Sequence, residues 1–257
     1  MLLITLGRDP KNLRPSLVTQ TLKGLRHLEE EQGKRAVRQV VTLQVLQLLH
    51  MLLMKKNRLG WSRRKRTTIW AGCMVNFWGG FRGGELFPNK AKTFDRGSTL
   101  LKRDVWKSRT TVEGKTVQVL NVRLKSSKTS KAGNRGEIVQ VYETGGRYCP
   151  LAAVSKYMEL NKKGKRDMPF FREESGKGLS LRRFNDYLRL VLEEKISYGI
   201  ITCHSFRQGL VTLMAERGAT TEEIMAAGRW NSAAWETYVK RPKLTRVRLA
   251  KTLAAGV

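Results

Sequence analysis

The chain is short of acid, of cysteine and of long apolar runs, and each shortage removes a class of function. Against 50 lysines and arginines stand only 21 aspartates and glutamates in 257 residues, a net charge of +29 at pH 7. Carboxylates are thus scarce, whereas a two-metal nuclease needs several of them converging on its ions, and no such set is expected. The three cysteines, Cys73, Cys149 and Cys203, have no paired spacing, which excludes a disulfide framework and a zinc cluster. A reducing, intracellular setting is therefore expected, nuclear if the source is eukaryotic. The most apolar stretch, Val40 to Met54, is interrupted by Thr42, Gln44, Gln47 and His50, so no run approaches the roughly 18 residues of a membrane span. No membrane partner is expected. The opening Met-Leu-Leu-Ile-Thr-Leu-Gly-Arg is also too short for a signal peptide.

What is present is positive charge spread along the whole length. Such a field attracts a polyanion and makes its binding salt-dependent through counterion release. Ribosomal proteins and simple nucleic-acid coats share this composition, so charge alone indicates a binder and not an enzyme. At 40% hydrophobic residues the chain has enough apolar material for a real core, in one large domain or one domain plus a small one. There is no internal repeat.

Residues 1 to about 35 are weakly patterned, with a short helix expected near Ser16 to Leu28 and a charged patch from Glu29 to Arg35. Leu43 to Met54 carries apolar residues at helical spacing. After a break at Gly60 comes the basic run Arg63-Arg64-Lys65-Arg66, and then a second helix over Thr67 to Trp78, whose core face is Ile69, Trp70, Cys73, Met74, Phe77 and Trp78. The stretch Gly79 to Leu86 ends that helix and starts another turn, closed by Pro88. From Thr99 to Val141 the period shortens. Val117 to Leu124 and Ile138 to Val141 alternate across a basic, glycine-containing turn, which predicts a β-hairpin or small antiparallel sheet. Helices return over Leu151 to Lys162, Leu179 to Leu192, Ser205 to Glu216 and Thr221 to Ala227, the last with a capping box from Thr220 to Glu223. The fold class is mixed α+β, mainly helical.

The chemistry-bearing residues gather in the last third. His204 and Arg207 are three apart, so on a helix both reach one anion. Trp230 follows Arg207 by 23 residues and Tyr238 follows Trp230 by eight, room for the rest of the helix, a turn and a second short helix. A phosphodiester fits such a cluster, with the tyrosine at its edge as nucleophile. Each residue alone has an ordinary reading: surface or cap for the His-x-x-Arg pair, core for the tryptophan, packing for the tyrosine. Together they do not.

Arg82-Gly83-Gly84-Glu85-Leu86, His204-Ser205-Phe206-Arg207, Gly228-Arg229-Trp230 and Tyr238, in that order, resemble the boxes of the tyrosine recombinase or phage-integrase catalytic domain, over about residues 37 to 245. Leu124 to Thr129, Arg147 to Ala153 and Gly228 to Ala233 resemble the DIRS-like and Crypton-like recombinases of eukaryotic mobile elements. The resemblance implies the tyrosine recombinase catalytic fold with its small antiparallel sheet, and a site made of Arg82, Lys128, His204, Arg207, Trp230 and Tyr238. Glu85 is then a supporting group that orients Arg82 or His204. Tyrosine ionises near pH 10, so about one side chain in a thousand is a phenolate at pH 7. Arg82, His204 and Arg207 around the phosphate would stabilise the charge of the pentacoordinate transition state. Two arginines facing one phosphate leave no need for a metal ion, and no cofactor is expected. The resemblance puts a proton donor for the leaving 5′ oxygen on the hairpin; Lys128, in its Ser-Lys-Thr triplet, is the candidate and Lys131 the rival. Trp230 would pack on the tyrosine segment and donate its indole N–H to a phosphate oxygen.

The chain is thus expected to be a site-specific DNA recombinase or integrase, cleaving and rejoining strands through a 3′-phosphotyrosyl intermediate without metal or ATP. Its partners would be double-stranded DNA and further copies of itself, as a tetramer on DNA. Arg63, Arg64, Lys65, Arg66, Lys125 and Lys131 are candidate DNA contacts, the Arg63 to Arg66 run being alternatively a nuclear-import signal. Family members precede this domain with a helical core-binding domain; here residues 1–36 are expected to be its remnant or a linker and residues 37–257 the catalytic domain with a C-terminal tail. The alternatives are a catalytically inactive or domesticated DNA-binding protein, and a topoisomerase of the same chemistry.

Overall fold

A computed structural model of the chain describes residues 39–57, 59–125, 136–192, 200–230 and 235–236. The helix expected near Ser16 to Leu28 lies outside the described residues, as does the whole of the expected N-terminal remnant. About half of the described residues are helical, accompanied by a small antiparallel sheet.

Helix α1 spans Leu43–His50, with Thr42 accepting the Val45 N–H at its start. The expected continuation to Met54 is present in a wider form, as a π-turn over Met51–Lys56 that ends at left-handed Asn57. Asn57 N–H closes it onto Leu52 O at 3.1 Å. Helix α2, Arg63–Gly79, begins earlier than the sequence pattern predicts. The basic run is its first turn, because Ser62 accepts the Lys65 N–H and acts as the N-cap. From Thr67 to Phe77 every residue of α2 is buried, which makes it the central helix of the domain. Glycine 80 closes it, and the four-residue α3, Gly83–Leu86, follows directly.

The sheet is β1 (Val105–Val112), β2 (Lys115–Leu124) and β3 (Glu137–Tyr142), in that spatial order. Strand β1 was not separable by pattern: Lys107 and Arg109 occupy the same face as buried Leu120 and Val122, and Lys107 escapes by reaching Ser155 Oγ at 3.2 Å. Strands β1 and β2 join through Glu113 and Gly114, both at positive φ as a tight hairpin turn requires. The β2–β3 stem closes at Leu124 opposite Glu137.

Helix α4 (Pro150–Leu160) packs across α2 and touches β2 and β3. Proline 150 sits in its first turn, where a missing N–H costs nothing. Helix α5 (Leu181–Leu192) brings Phe184 onto Phe87, stacked at 4.2 Å. Helix α6 (Cys203–Glu216) lies along α2, and α7 (Thr221–Gly228) returns against α6. The capping box of α7 forms as expected, with Thr220 accepting from Glu223 N–H and Glu223 from Thr220 N–H. Val41 N–H donates to Ser205 O and Gln39 N–H to Ile200 O, pinning the start of the described chain to the start of α6.

Candidate active site

Three guanidinium groups meet where α2 ends. Arginine 82 stands at the N-cap of α3; its main-chain N–H donates to Glu85 Oε2 at 2.8 Å and its Nη1 to Glu85 Oε1 at 3.0 Å. Its side chain is 33% exposed, while that of Glu85 is 6% exposed. Arginine 207 comes from α6, one turn after the half-buried His204. Arginine 229 follows the last residue of α7 and pairs with Glu85 at 2.5 Å. One buried carboxylate thus serves Arg82 and Arg229, and the patch keeps a strong positive balance at the positive end of the α6 dipole.

Arginine 207 differs from the simple expectation of an arginine held open for phosphate. It is 2% exposed. Its Nη1 donates to Gly80 O at 2.7 Å, its Nη2 donates to Gly228 O, and its plane lies 4.1 Å from the centre of the Trp230 ring. These contacts tie the end of α2 to the end of α7. Tryptophan 230 lies under Arg207; the tyrosine segment on which it was expected to pack lies outside the described residues. Its ring fills the space beside Gly228, where an added Cβ would stand 1.3 Å from a ring carbon. Any residue but glycine at 228 would push the ring out from under Arg207.

Glutamate 85 contacts Arg82, one of the two groups it was expected to orient, and also Arg229, which the sequence reading passed over beside Trp230. The signal for Arg229 was its place in Gly-Arg-Trp at the end of a helix, where glycine or asparagine is the usual residue. Arginine 229 also lies 3.7 Å from Glu137, so the stem of the β2–β3 connection sits beside the cluster. Lysine 128 is four residues beyond Leu124, a reach of at most about 14 Å. Lys128, Lys131 and Tyr238 themselves lie outside the described residues. Among the described residues no group of histidine, cysteine and acidic side chains is arranged to hold a metal ion.

Several of the basic residues expected on DNA have partners within the described chain. Lysine 125 turns inward, pairing with buried Asp104 at 2.7 Å and donating to Arg96 O and Thr99 O. Arginine 66 caps the end of the π-turn, donating to Leu53 O, Met54 O and Trp61 O. Arginine 64 donates to Asn161 Oδ1 and Glu174 O, and Lys65 sits 4.0 Å from the Trp61 ring and 4.2 Å from the Tyr187 ring. Burial, with Arg183 adding repulsion, lowers the Lys65 pKa from its ordinary value. Arginine 63 is exposed. The run lies about 24 Å from the arginine cluster, at the other end of α2.

The fold is that of tyrosine recombinase catalytic domains. The XerH site-specific recombinase, solved bound to palindromic difH substrate as a post-cleavage complex, is similar with a TM-score of 0.59 at 13% identity, over 86% of this chain and 54% of that one. The XerA recombinase is similar with a TM-score of 0.54 at 14% identity, over 84% of this chain and 64% of that one. The chain therefore spans between half and two-thirds of the length of these proteins. No protein-family model and no curated protein matches the chain.

Proposed function

We propose that the chain is a tyrosine-type DNA strand transferase, a recombinase or integrase. The observation that carries this reading is the convergence of Arg82, Arg207 and Arg229, with His204 on the same helix as Arg207, around the end of α2 in a tyrosine recombinase fold. In the reaction the Tyr238 oxygen attacks a backbone phosphorus. The P–O5′ bond breaks, Lys128 gives its proton to the leaving oxygen, and a 3′-phosphotyrosyl bond remains. Arg82 and His204 bear on the phosphate oxygens as charge develops. Attack by a 5′ hydroxyl of a second strand reverses the step. One phosphate ester replaces another each time, so neither ATP nor a metal ion is required.

Arg207, which donates to Gly80 O and Gly228 O in the DNA-free chain, would join Arg82 at the phosphate. Two arginine planes around one phosphate would then fix its orientation. The active species of this proposal is a tetramer on duplex DNA, and its lineage the DIRS-like and Crypton-like mobile elements.

The test is a covalent-adduct assay on supercoiled and nicked DNA with the full chain, denatured before analysis. Wild type forms a protein–DNA adduct and Tyr238→Phe forms none. The burial of Arg207 favours one other reading, a DNA-binding protein without catalysis. DNA binding without adduct on any pool of sequences, trapped half-sites included, would establish that reading instead.

A further inference from the structure

We propose that Arg229 is a positioning residue that aims Arg82 and holds the start of β3, at Glu137, beside it. The backbone of Arg229 is left-handed, at φ 53° and ψ 52°. This conformation is unfavourable for a side-chain-bearing residue and natural for glycine, the common choice just past a helix end. The strain is kept by what the guanidinium does. Its Nη1 donates to Gly79 O at 3.1 Å and its Nη2 to Glu85 Oε2 at 2.5 Å, and it lies 5.0 Å from the Phe81 ring centre. The side chain is 11% exposed.

Glu85 has two oxygens and Arg82 a two-pronged fork, so an unrestrained pair would close face to face and withdraw Arg82 from any incoming phosphate. Oε2 is held by the Arg82 main-chain N–H and, from the buried side, by Arg229, which adds the only side-chain cation on that oxygen among the described residues. Among the described residues the Arg82 side chain is left with the contact to Oε1, a third of its surface still exposed. On its other flank Arg229 approaches Glu137, the first residue of β3 and the partner of Leu124 at the stem. The chain Arg82–Glu85–Arg229–Glu137 thus links the first arginine box to the base of the segment bearing Lys128 and Lys131. Arg229 acts through these neighbours and need not touch DNA. The catalytic consequence rests on the strand-transferase reading; the structural one does not.

Arg229→Gly is the informative variant, because glycine suits the left-handed backbone while the guanidinium is removed. Amide hydrogen exchange on the DNA-free chain is expected to rise about tenfold at residues 82–86 and 137–139, with α2 and α4 unchanged. Single-turnover adduct formation at saturating DNA is expected to fall about a hundredfold while DNA affinity changes less than about threefold. Arg229→Lys, which restores a cation against Glu85, recovers about a tenfold part of that rate. Wild-type exchange in Arg229→Gly would overturn the positioning role, and so would a wild-type cleavage rate or a lysine variant no faster than the glycine one. If wild type forms no adduct yet exchange rises locally in Arg229→Gly, the positioning stands and the strand-transferase reading falls.

Discussion

Removing Arg207 separates two demands on one side chain. An arginine that serves only a phosphate should be dispensable to the DNA-free fold; in a chain of net charge +29 its loss could even stabilise it. The structure argues otherwise. Arg207→Ala strips the hydrogen bonds from two buried carbonyls, Gly80 O and Gly228 O, each costing about 1–3 kcal/mol when left unpartnered. It also removes a desolvated stack on Trp230, about 2 kcal/mol. Against this, a buried charge no longer has to be kept out of water, which returns part of the loss. The net expectation is about 3–5 kcal/mol of destabilisation, a fall of roughly 10 °C in Tm for a domain of this size. Arg82→Ala, a third exposed and bonded to one carboxylate, should cost less than about 1 kcal/mol. Thermal melts of both variants at matched salt, without DNA, decide the matter. An Arg207→Ala melt within about 2 °C of wild type would refute the argument.

Lys125→Ala leaves Asp104 buried without its ammonium and should cost about 3 kcal/mol, lowering Tm while the salt slope of DNA binding by the folded protein stays unchanged. Arg66→Ala, which uncaps the π-turn, should cost about 1–2 kcal/mol with the same unchanged slope; a slope reduced by about one in either variant would return that residue to the DNA surface. Burial pushes the Tyr157 hydroxyl up to about 12 from an ordinary value near 10, with Arg172 partly opposing the rise. The folded state thus binds the phenolic proton more tightly than the unfolded one, so the contribution is intact below pH 10 and is lost as pH rises from 10 through 12. Burial raises the Cys73 and Cys203 thiols in the same sense, so alkaline loss of stability begins near pH 9. Denaturant titrations of wild type and Tyr157→Phe across pH 9 to 12 should show a shallower decline in the variant above pH 10.

Much of the architecture was legible because the periods were clean. The helices from Pro150 onward begin and end within a few residues of their patterns, and the Thr220 to Glu223 capping box is a local signal that needs no tertiary partner. Strand β1 was hidden by Lys107 and Arg109 on the face that carries Leu120 and Val122; both stay exposed, and Lys107 reaches Ser155 of α4. The start of α2 was hidden because four successive cations are a poor first turn beside the positive end of a helix dipole. They are held there by Ser62 and by acceptors distant in sequence, such as Asn161 and Leu53.

The sequence by itself determined the chemical inventory: which boxes occur, in what order and at what spacing, and that the whole chain carries charge fit for a polyanion. Spacing along a helix places His204 and Arg207 on one face because a 3.6-residue turn is a local property. Only the tertiary structure decided which cations face solvent and which are turned inward. Lys125 pairs with Asp104, Arg66 with backbone carbonyls and Arg207 with the ends of two helices, while Arg229 shares Glu85 with Arg82. Those assignments depend on groups up to 150 residues apart, Arg229 and Gly79 being the widest of the cluster. A guanidinium has five donors and no sequence preference among acceptors, so packing alone selects the carbonyl or carboxylate that it meets.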